Sequence, residues 1–388
     1  FTLSQEAGSG DVLLLARADT SAVSSADQNP TITAEVKVDG QVKSRENLKV
    51  KALAGNGTYD VEGELADEED GGQFLVTGNH NLASINAKVT VTGTLEAQKD
   101  LTLDATAENR IDNSGGIRTA QGLSLEILGS TTPINEAVAY ADLETHADVT
   151  VSKDATLTST AGALSVTANA DTRLEIGTAT SKIQLIDFLN NQTASKVIPS
   201  VAAVVGLMDS HATVNISGDL TSAGDLTIQS TNNLDASLTA TSSTMNSDHI
   251  QTAFTFGQFT GDSTVIVDQD ATVTMTGASG TYDYTVQALQ TNTVETTASA
   301  AAGRNSYGGL AFNYTELNTA SDLTLETGLT GVAKNVVIQS DNNTQSFNVT
   351  SDNAANLSGM MDKVTSYVSS LSTNFLNTLL DKSWNSIN

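Results

Sequence analysis

The chain has 388 residues, a formal net charge of −27 and an isoelectric point near 4.2. So negative a chain excludes nucleic acid as a partner, because it could not displace the counterions held by phosphates, and it disfavours anionic membrane surfaces. There is no Cys, which excludes disulfides, iron–sulfur clusters and thiolate metal sites.

The composition favours strands and turns over helices. The apolar residues are mainly Val, Leu, Ile and Ala, aromatic residues make up only 4%, and Thr, Ser, Asn, Asp and Gly fill much of the remainder. The chain begins at Phe1, so we expect a processed product or an excerpt of a longer protein. The longest apolar run, Val197–Met208, is too short to cross a bilayer, and we predict no direct membrane insertion.

A motif recurs six times along the chain. Each copy has Val-x-Val or an equivalent, a Gly or Asp turn, a Val or Leu, a second turn, and then Leu-x-Val or Leu-x-Ile. The spacings of the leading apolar residue are 53, 60, 65, 51 and 58 residues by subtraction, which is typical of a repeat architecture with insertions. These leading residues are Val36, Val89, Val149, Val214, Val265 and Leu323.

The motif predicts an all-β fold, a right-handed parallel β-helix (β-solenoid), over residues 1–180 and 210–355. Each copy would supply three strands of three to five residues in a coil of about 20 residues, and stacked coils would share a continuous aliphatic core. The Ala/Thr/Asn-rich segments Leu234–Asp262 and Val294–Ala320 would add one or two further coils per repeat. With coils of about 20–30 residues, the expected rod is roughly 50–80 Å long. A tandem β-sandwich is the rival fold, but its repeats would be longer.

Two segments break the strand pattern and predict helices. Ser181–Asp209 has apolar residues at helical spacing and would form a helical insertion over 181–209. The C-terminal segment 356–388 would form an amphipathic helix that caps the solenoid or docks onto a neighbouring subunit or domain. Its predicted docking residues are Met360, Met361, Val364, Val368, Leu371, Phe375 and Leu379.

Motifs for catalysis are sparse. The four His residues are scattered through the sequence without metal-binding spacing, and we interpret each as a loop or surface residue. We therefore predict no catalytic residues and no enzymatic activity. The densest acidic patch contains the only candidate metal ligands, and we predict no cofactor unless this loop binds Ca²⁺, which prefers oxygen ligands. These candidates are Asp67, Glu68, Glu69 and Asp70.

The motifs ATVNISGDLTSAGDLTIQS and ADVTVSKDATLTSTAGALSVTA, with the Ala/Ser-rich segments between copies, resemble large bacterial exoproteins. The family is that of filamentous haemagglutinin-like and leukotoxin-like filamentous adhesins, and the resemblance covers roughly residues 34–343. It implies a right-handed parallel β-helix at the bacterial cell surface that serves as a stalk, fibre or adhesin.

We therefore expect a structural or adhesive section of an extracellular solenoid. Its partners would be neighbouring solenoid domains or identical subunits, and a host-cell or matrix surface. The main alternative is a filament or sheath subunit that polymerises end to end, because an open solenoid end presents unpaired strand edges. A distant alternative is a polysaccharide-active β-helix enzyme, which would require a groove with converging carboxylates and a basic residue.

Overall fold

The computed structural model describes residues 3–4, 10–19, 31–55, 80–118, 124–127, 130–133, 135–180, 200–243, 250–301 and 308–353. Nearly all of them lie in strands, and none of these ranges contains a helix. The strands form three parallel sheets and one small hairpin. The predicted all-β parallel solenoid is confirmed.

One sheet consists of short strands, and we call it the short sheet. Its seven strands are paired in chain order, so each strand stacks on the equivalent strand of the preceding repeat. They are β1 (Leu3–Ser4), β4 (Gln41–Ser44), β7 (Thr94–Ala97), β12 (Thr156–Ser159), β15 (Asp219–Ser222), β18 (Thr272–Met275) and β21 (Leu329–Thr330).

Two further sheets consist mostly of long strands, and they form the two broad walls of the solenoid. The first long sheet contains β3 (Thr31–Val38), β6 (His80–Val91), β11 (Asn135–Val151), β14 (Ser200–Ile216), β17 (Ile250–Val267) and β20 (Gly308–Leu325). The second long sheet contains β2 (Val12–Asp19), β5 (Leu48–Gly55), β8 (Leu101–Arg118), β13 (Leu164–Thr180), β16 (Leu226–Ser243), β19 (Tyr284–Ala301) and β22 (Val336–Asn353).

The chain follows one path in every repeat. It runs along the first long sheet, turns through the short sheet, and returns along the second long sheet. An antiparallel hairpin, β9 (Ser124–Ile127) with β10 (Ser130–Pro133), is inserted between two repeats. Side chains alternate along each strand, and the inward-facing residues of the two long sheets meet in the core.

The register confirms the sequence repeat. Val36 pairs with Val89, Val89 with Val149, and the alignment continues through Val214 to Val265 and Leu323. The six leading apolar residues therefore form one ladder, and the interior members of this ladder are buried.

The predicted coil size is wrong. One complete coil is one whole sequence repeat, because the long strands continue into the Ala/Thr/Asn-rich segments. For example, Ala212 pairs with Ser263, which lies 51 residues further along the chain. The described parts of those segments, 234–243 and 250–262 in the first and 294–301 and 308–320 in the second, extend the walls of the same coil and add no further coils. Thr, Asn and Ser alternate with apolar residues there, which suits a strand with one solvated face.

The expected rod length is wrong for the same reason. Seven stacked strands rise about 29 Å at roughly 4.8 Å per spacing, whereas a wall strand of 18 residues is about 59 Å long at roughly 3.3 Å per residue. The described body is therefore broader than it is tall.

The helix predicted for the second half of 181–209 is also wrong. β14 begins at Ser200 and continues across the predicted domain boundary at residue 209. It pairs in parallel with β11 and β17 along its whole length, and Val204 and Met208 are buried in the core. Val-rich runs suit strands, and pairing on both sides outweighs the helical spacing of the apolar residues. Residues 181–199 lie outside the described residues.

A polar seam divides the core into two apolar clusters. Along β14, Met208 belongs to the cluster far from the short sheet, Ala212 belongs to the cluster beside it, and Ser210 lies between them. The Ser210 hydroxyl donates to Asn232 Oδ1 at 2.6 Å, and Asn232 Nδ2 donates to the Ser210 carbonyl at 2.7 Å. The Thr172 hydroxyl lies 2.8 Å from the Ser210 hydroxyl. These bonds satisfy polar groups that would otherwise be costly to bury, and they join the two walls.

Stacked turns join the walls to the short sheet. Gly218 lies so close to the coil below that an added Cβ would be 2.5 Å from the carbonyl oxygens of Ser152 and Ala155. At the next turn, side-chain oxygens bond to backbone amides of the following rung. Asp225 Oδ1 accepts from the Asp283 amide at 2.8 Å, for example. Gly and Asp therefore recur at the turns of the repeat because equivalent turns of neighbouring coils stack closely on each other.

Candidate functional site

A cluster of titratable side chains lies on the outer face of the first long sheet. His146 and His211 occupy paired positions on β11 and β14, although 65 residues separate them by subtraction. Their rings stack with centroids 5.1 Å apart. The neighbouring strand places Asp262 opposite His211. Parallel in-register pairing therefore builds the cluster from three successive repeats.

His211 lies between two carboxylates. Its Nδ1 contacts Asp262 Oδ1, its Nε2 lies 2.7 Å from Asp209 Oδ1, and 26% of its side chain is exposed. The hydrogen bond with Asp262 is the main reason why the pKa of His211 rises to about 9, while partial burial opposes the rise. Burial alone would raise the pKa of Asp262, but hydrogen bonds from His211 and Thr264 lower it. The imidazolium therefore crosslinks adjacent coils at neutral pH.

Other charged groups surround the cluster. Asp148 lies on β11 beside the imidazoles, where burial raises its pKa against the opposing charges of His146, Lys88 and His211. Burial also raises the pKa of Asp142, on the same strand. The site thus concentrates negative charge around one imidazolium, which favours binding of a proton or another cationic group.

The pKa of His211 predicts a stability loss at alkaline pH. Because the folded-state pKa lies above the ordinary value near 6.5, the stabilisation is complete below pH 6.5 and is lost as the pH rises through about 9. Since the side chain is partly solvated, we expect His211→Gln to lower the free energy of unfolding by about 1–2 kcal/mol near pH 6, and by much less near pH 10. Urea unfolding of both proteins at the two pH values measures the difference.

The control for this prediction is Asn215→Gln, which changes another outward-facing side chain of β14. It should give the same small difference from wild type at both pH values. An effect of His211→Gln that does not change with pH would contradict a charged His211 in the folded state.

Aromatic rings form two stacked pairs on the same outer face, near the C-terminal end of the stack. Phe254 stacks on Phe312, and Phe256 stacks on Tyr314, each with ring centroids 5.3 Å apart. The Phe312 and Tyr314 side chains belong to β20, the last strand of the sheet, and both are exposed. Such rings favour contact with another apolar or aromatic surface.

The outer face of the second long sheet carries acidic groups with Arg partners. Arg110 Nη2 lies 2.7 Å from Asp171 Oδ2 and 3.8 Å from Glu108 Oε2. Burial raises the pKa of Glu108 to about 7, although the charge of Arg110 opposes the rise. The pKa of Asp104, on the same strand, is also raised by burial. These contacts link neighbouring coils and stabilise the wall.

Among the residues that the structure describes, none covers the last rung of the solenoid. Its inward-facing side chains continue the core ladders, yet Val336 is 57% exposed and Ile338 is 54% exposed. Their partners in the preceding rung, Tyr284 and Val286, are 4% and 0% exposed. At the opposite end of the same ladder, Val12 is only 7% exposed. Within the described ranges, the C-terminal end therefore leaves a cross-section of the core uncovered.

The predicted site residues fall outside the described part of the chain. This holds for the acidic candidates Asp67, Glu68, Glu69 and Asp70, and for the docking candidates Met360, Met361, Val364, Val368, Leu371, Phe375 and Leu379. Both sets remain predictions. Among the described residues, no group of three His, Asp or Glu side chains is arranged to hold a metal ion.

The interpretation of the His residues as scattered missed the stack of His146 on His211. A signal was present, because each of these residues lies three positions before the leading Val of its repeat, Val149 or Val214. Parallel in-register stacking places equal offsets side by side. The partner Asp262 likewise lies three positions before Val265.

The three stacked parallel sheets define a parallel β-solenoid of large coils. Comparison with protein-family models, with curated proteins and with solved structures found no match. Among the residues described, no helix is long and apolar enough to cross a membrane.

Proposed function

We propose that the chain is a structural or adhesive section of an extracellular bacterial β-solenoid fibre, in which it serves as a rigid unit for surface display. The observation that carries this proposal is the in-register stacking of three parallel sheets from one repeat to the next. Ladder hydrogen bonds and two aliphatic clusters that run from rung to rung resist bending and local opening. The resemblance to filamentous haemagglutinin-like adhesins supports the same function.

The dimensions of the stack suit a section of a longer fibre. At about 29 Å along the stacking axis, the described coils would add little reach by themselves, and reach would come from adding further coils. Neighbouring solenoid domains or identical subunits are therefore the proposed partners. The aromatic pairs on the outer face, which include the exposed Phe312 and Tyr314, are the proposed contact with a host-cell or matrix surface.

A second candidate function is end-to-end polymerisation into a filament or sheath. The observation that favours it is that no described residue covers the last rung, where β20, β21 and β22 are each the final strand of their sheet. Unpaired strand edges beside exposed core residues form a template for another solenoid end.

Electron microscopy of the purified chain, with and without millimolar Ca²⁺, tests the two candidates. Discrete particles about 30 Å by 60 Å in both conditions would support a section of a fibre. Long uniform filaments would contradict it and support the polymerising subunit. Filaments that form only with Ca²⁺ would show that divalent cations bridge the acidic surfaces.

Adhesion requires a separate measurement, which is retention of protein-coated beads on matrix proteins and host-cell membranes. We expect the double variant Phe312→Ser with Tyr314→Ser to lower retention, because it removes the two most exposed aromatic rings of the patch. The matched control is Thr324→Ser, on the same strand at the other end of the outer face. Equal retention of all three proteins would exclude this patch as the contact.

A further inference from the structure

We propose that residues 357–384, the C-terminal segment, form a helical cap that packs over the open last rung of the same chain. The proposal goes beyond the function proposed above, and it stands against end-to-end polymerisation, because a covered end offers no strand edges to a second copy. The surface that covers the last rung is then the chain's own C-terminal segment. A second copy of the chain is the outcome that would overturn it.

The end face needs an apolar occupant. Inward-facing residues of the last rung that would be buried in any interior coil are partly or largely exposed there. The apolar side chains of the face are Leu317, Leu323, Leu325, Leu329, Val336, Ile338, Phe347 and Val349.

The C-terminal segment begins where this face ends. β22 terminates at Asn353, in the last rung, and the segment starts only four residues later at Leu357. A helix over its 28 residues would be about 42 Å long at 1.5 Å per residue, and β22 is about 59 Å long. A single helix therefore fits along the end face without a long linker.

The sequence of the segment has the matching apolar stripe. Its apolar residues recur at three- and four-residue intervals, which places them on one side of a helix, while Ser366 and Thr373 fall on the opposite side. Burying this stripe against the exposed ladder would remove both apolar surfaces from water. The stripe consists of Leu357, Met360, Met361, Val364, Val368, Leu371, Phe375 and Leu379.

Charge and tethering favour this segment over a second copy. Each of two copies would carry a formal charge of −27, so the copies would repel each other as their ends came together. The C-terminal segment is covalently attached beside the face, which gives it a local concentration of about millimolar. The cap would also cover the edges of the last strands and so prevent end-to-end stacking.

A thiol-labelling experiment on the full chain tests the cap. The chain has no Cys, so Ile338→Cys introduces a single thiol on the end face, and Val337→Cys introduces one on the adjacent outward-facing position. We expect alkylation at position 338 to be slower than at position 337 by on the order of tenfold or more, because the cap must open before the reagent can react.

Matched tail variants identify the occupant. Val364→Glu with Val368→Glu places charge on the apolar stripe and should restore fast alkylation at position 338, whereas Ser366→Glu with Thr373→Glu adds the same charge on the opposite side and should leave it slow. Circular dichroism checks that each variant keeps its strand content. Fast alkylation in the unmodified tail would overturn the proposal. So would protection that increases with protein concentration, because it would identify a second copy as the occupant.

Discussion

A variant that lacks one complete repeat, from Ala212 through Asp262, is expected to fold cooperatively with one rung fewer. The deletion joins His211 to Ser263, which is the residue that pairs with Ala212, so the chain re-enters the same sheet in the same register. Each coil contacts mainly its two neighbours, and the exposed coils can stack on each other once the intervening coil is removed. We expect the urea m-value to fall by about one-seventh, because it scales with the surface that unfolding exposes.

The control is a deletion of about half a repeat, Ala212–Ser237, which joins His211 to Leu238. Leu238 belongs to the second long sheet, so the junction would force a strand of one wall into the other. We expect this variant to lose the cooperative transition and to aggregate. Equal stability of the two deletion variants would contradict the one-repeat coil.

Val149→Asp is expected to unfold the middle of the solenoid. Val149 is 0% exposed and stacks between Val89 and Val214, so the new carboxylate would have no water and no cationic partner among the ladder residues. We expect a loss of at least about 4 kcal/mol in the free energy of unfolding, since an unpaired buried charge is among the costliest substitutions. Thermal and urea unfolding followed by circular dichroism measure it.

The matched control is Thr150→Asp, one position further along the same strand. Thr150 faces outward, and it pairs with Thr90 and Asn215. We expect a change within about 1 kcal/mol, because Thr150 is only partly buried and a carboxylate there stays in contact with water. A comparable loss at both positions would show that the alternation of inward and outward faces is wrong here.

Two features of the fold could be predicted because each is encoded locally. Val-x-Val alternation specifies which side chains face inward, and the recurrence of Val89 and Val149 at the same place in the motif specifies which ones stack. The recurring Gly and Asp residues indicated where the turns around the short strands lie. The size of the coil could not be predicted in this way, because Thr-rich alternation in Leu234–Asp262 continues the wall as readily as it would begin a new coil.

The segment Ser200–Asp209 shows why local spacing can mislead. Val201, Val204, Val205 and Met208 fit a helix, and the same residues also fit a strand with neighbours on both sides. The segment forms a strand because β11 and β17 supply a complete ladder of backbone hydrogen-bond partners on its two sides. Short apolar runs do not distinguish the two structures without such tertiary information.

The features proposed as functional also differ in whether the local sequence predicts them. The acidic patch and the amphipathic tail were visible in the sequence because charge and apolar periodicity are local properties. The contact of His211 with Asp262 and its stacking on His146 were not recognised, because these residues come from three different repeats. The exposure of Val336 and Ile338 in the last rung depends on how the rungs stack, so it follows only from the tertiary structure.

The sequence by itself determined the all-β class, the repeat and the residues of the central ladders, because a period of two along each strand and equal offsets between copies express burial and stacking directly. The tertiary structure decided the coil size, the strand identity of Ser200–Asp209 and the grouping of His146, His211 and Asp262. Those features depend on which strands pair. Pairing is a cooperative property of the whole stack, since each rung is stabilised by the rungs above and below it.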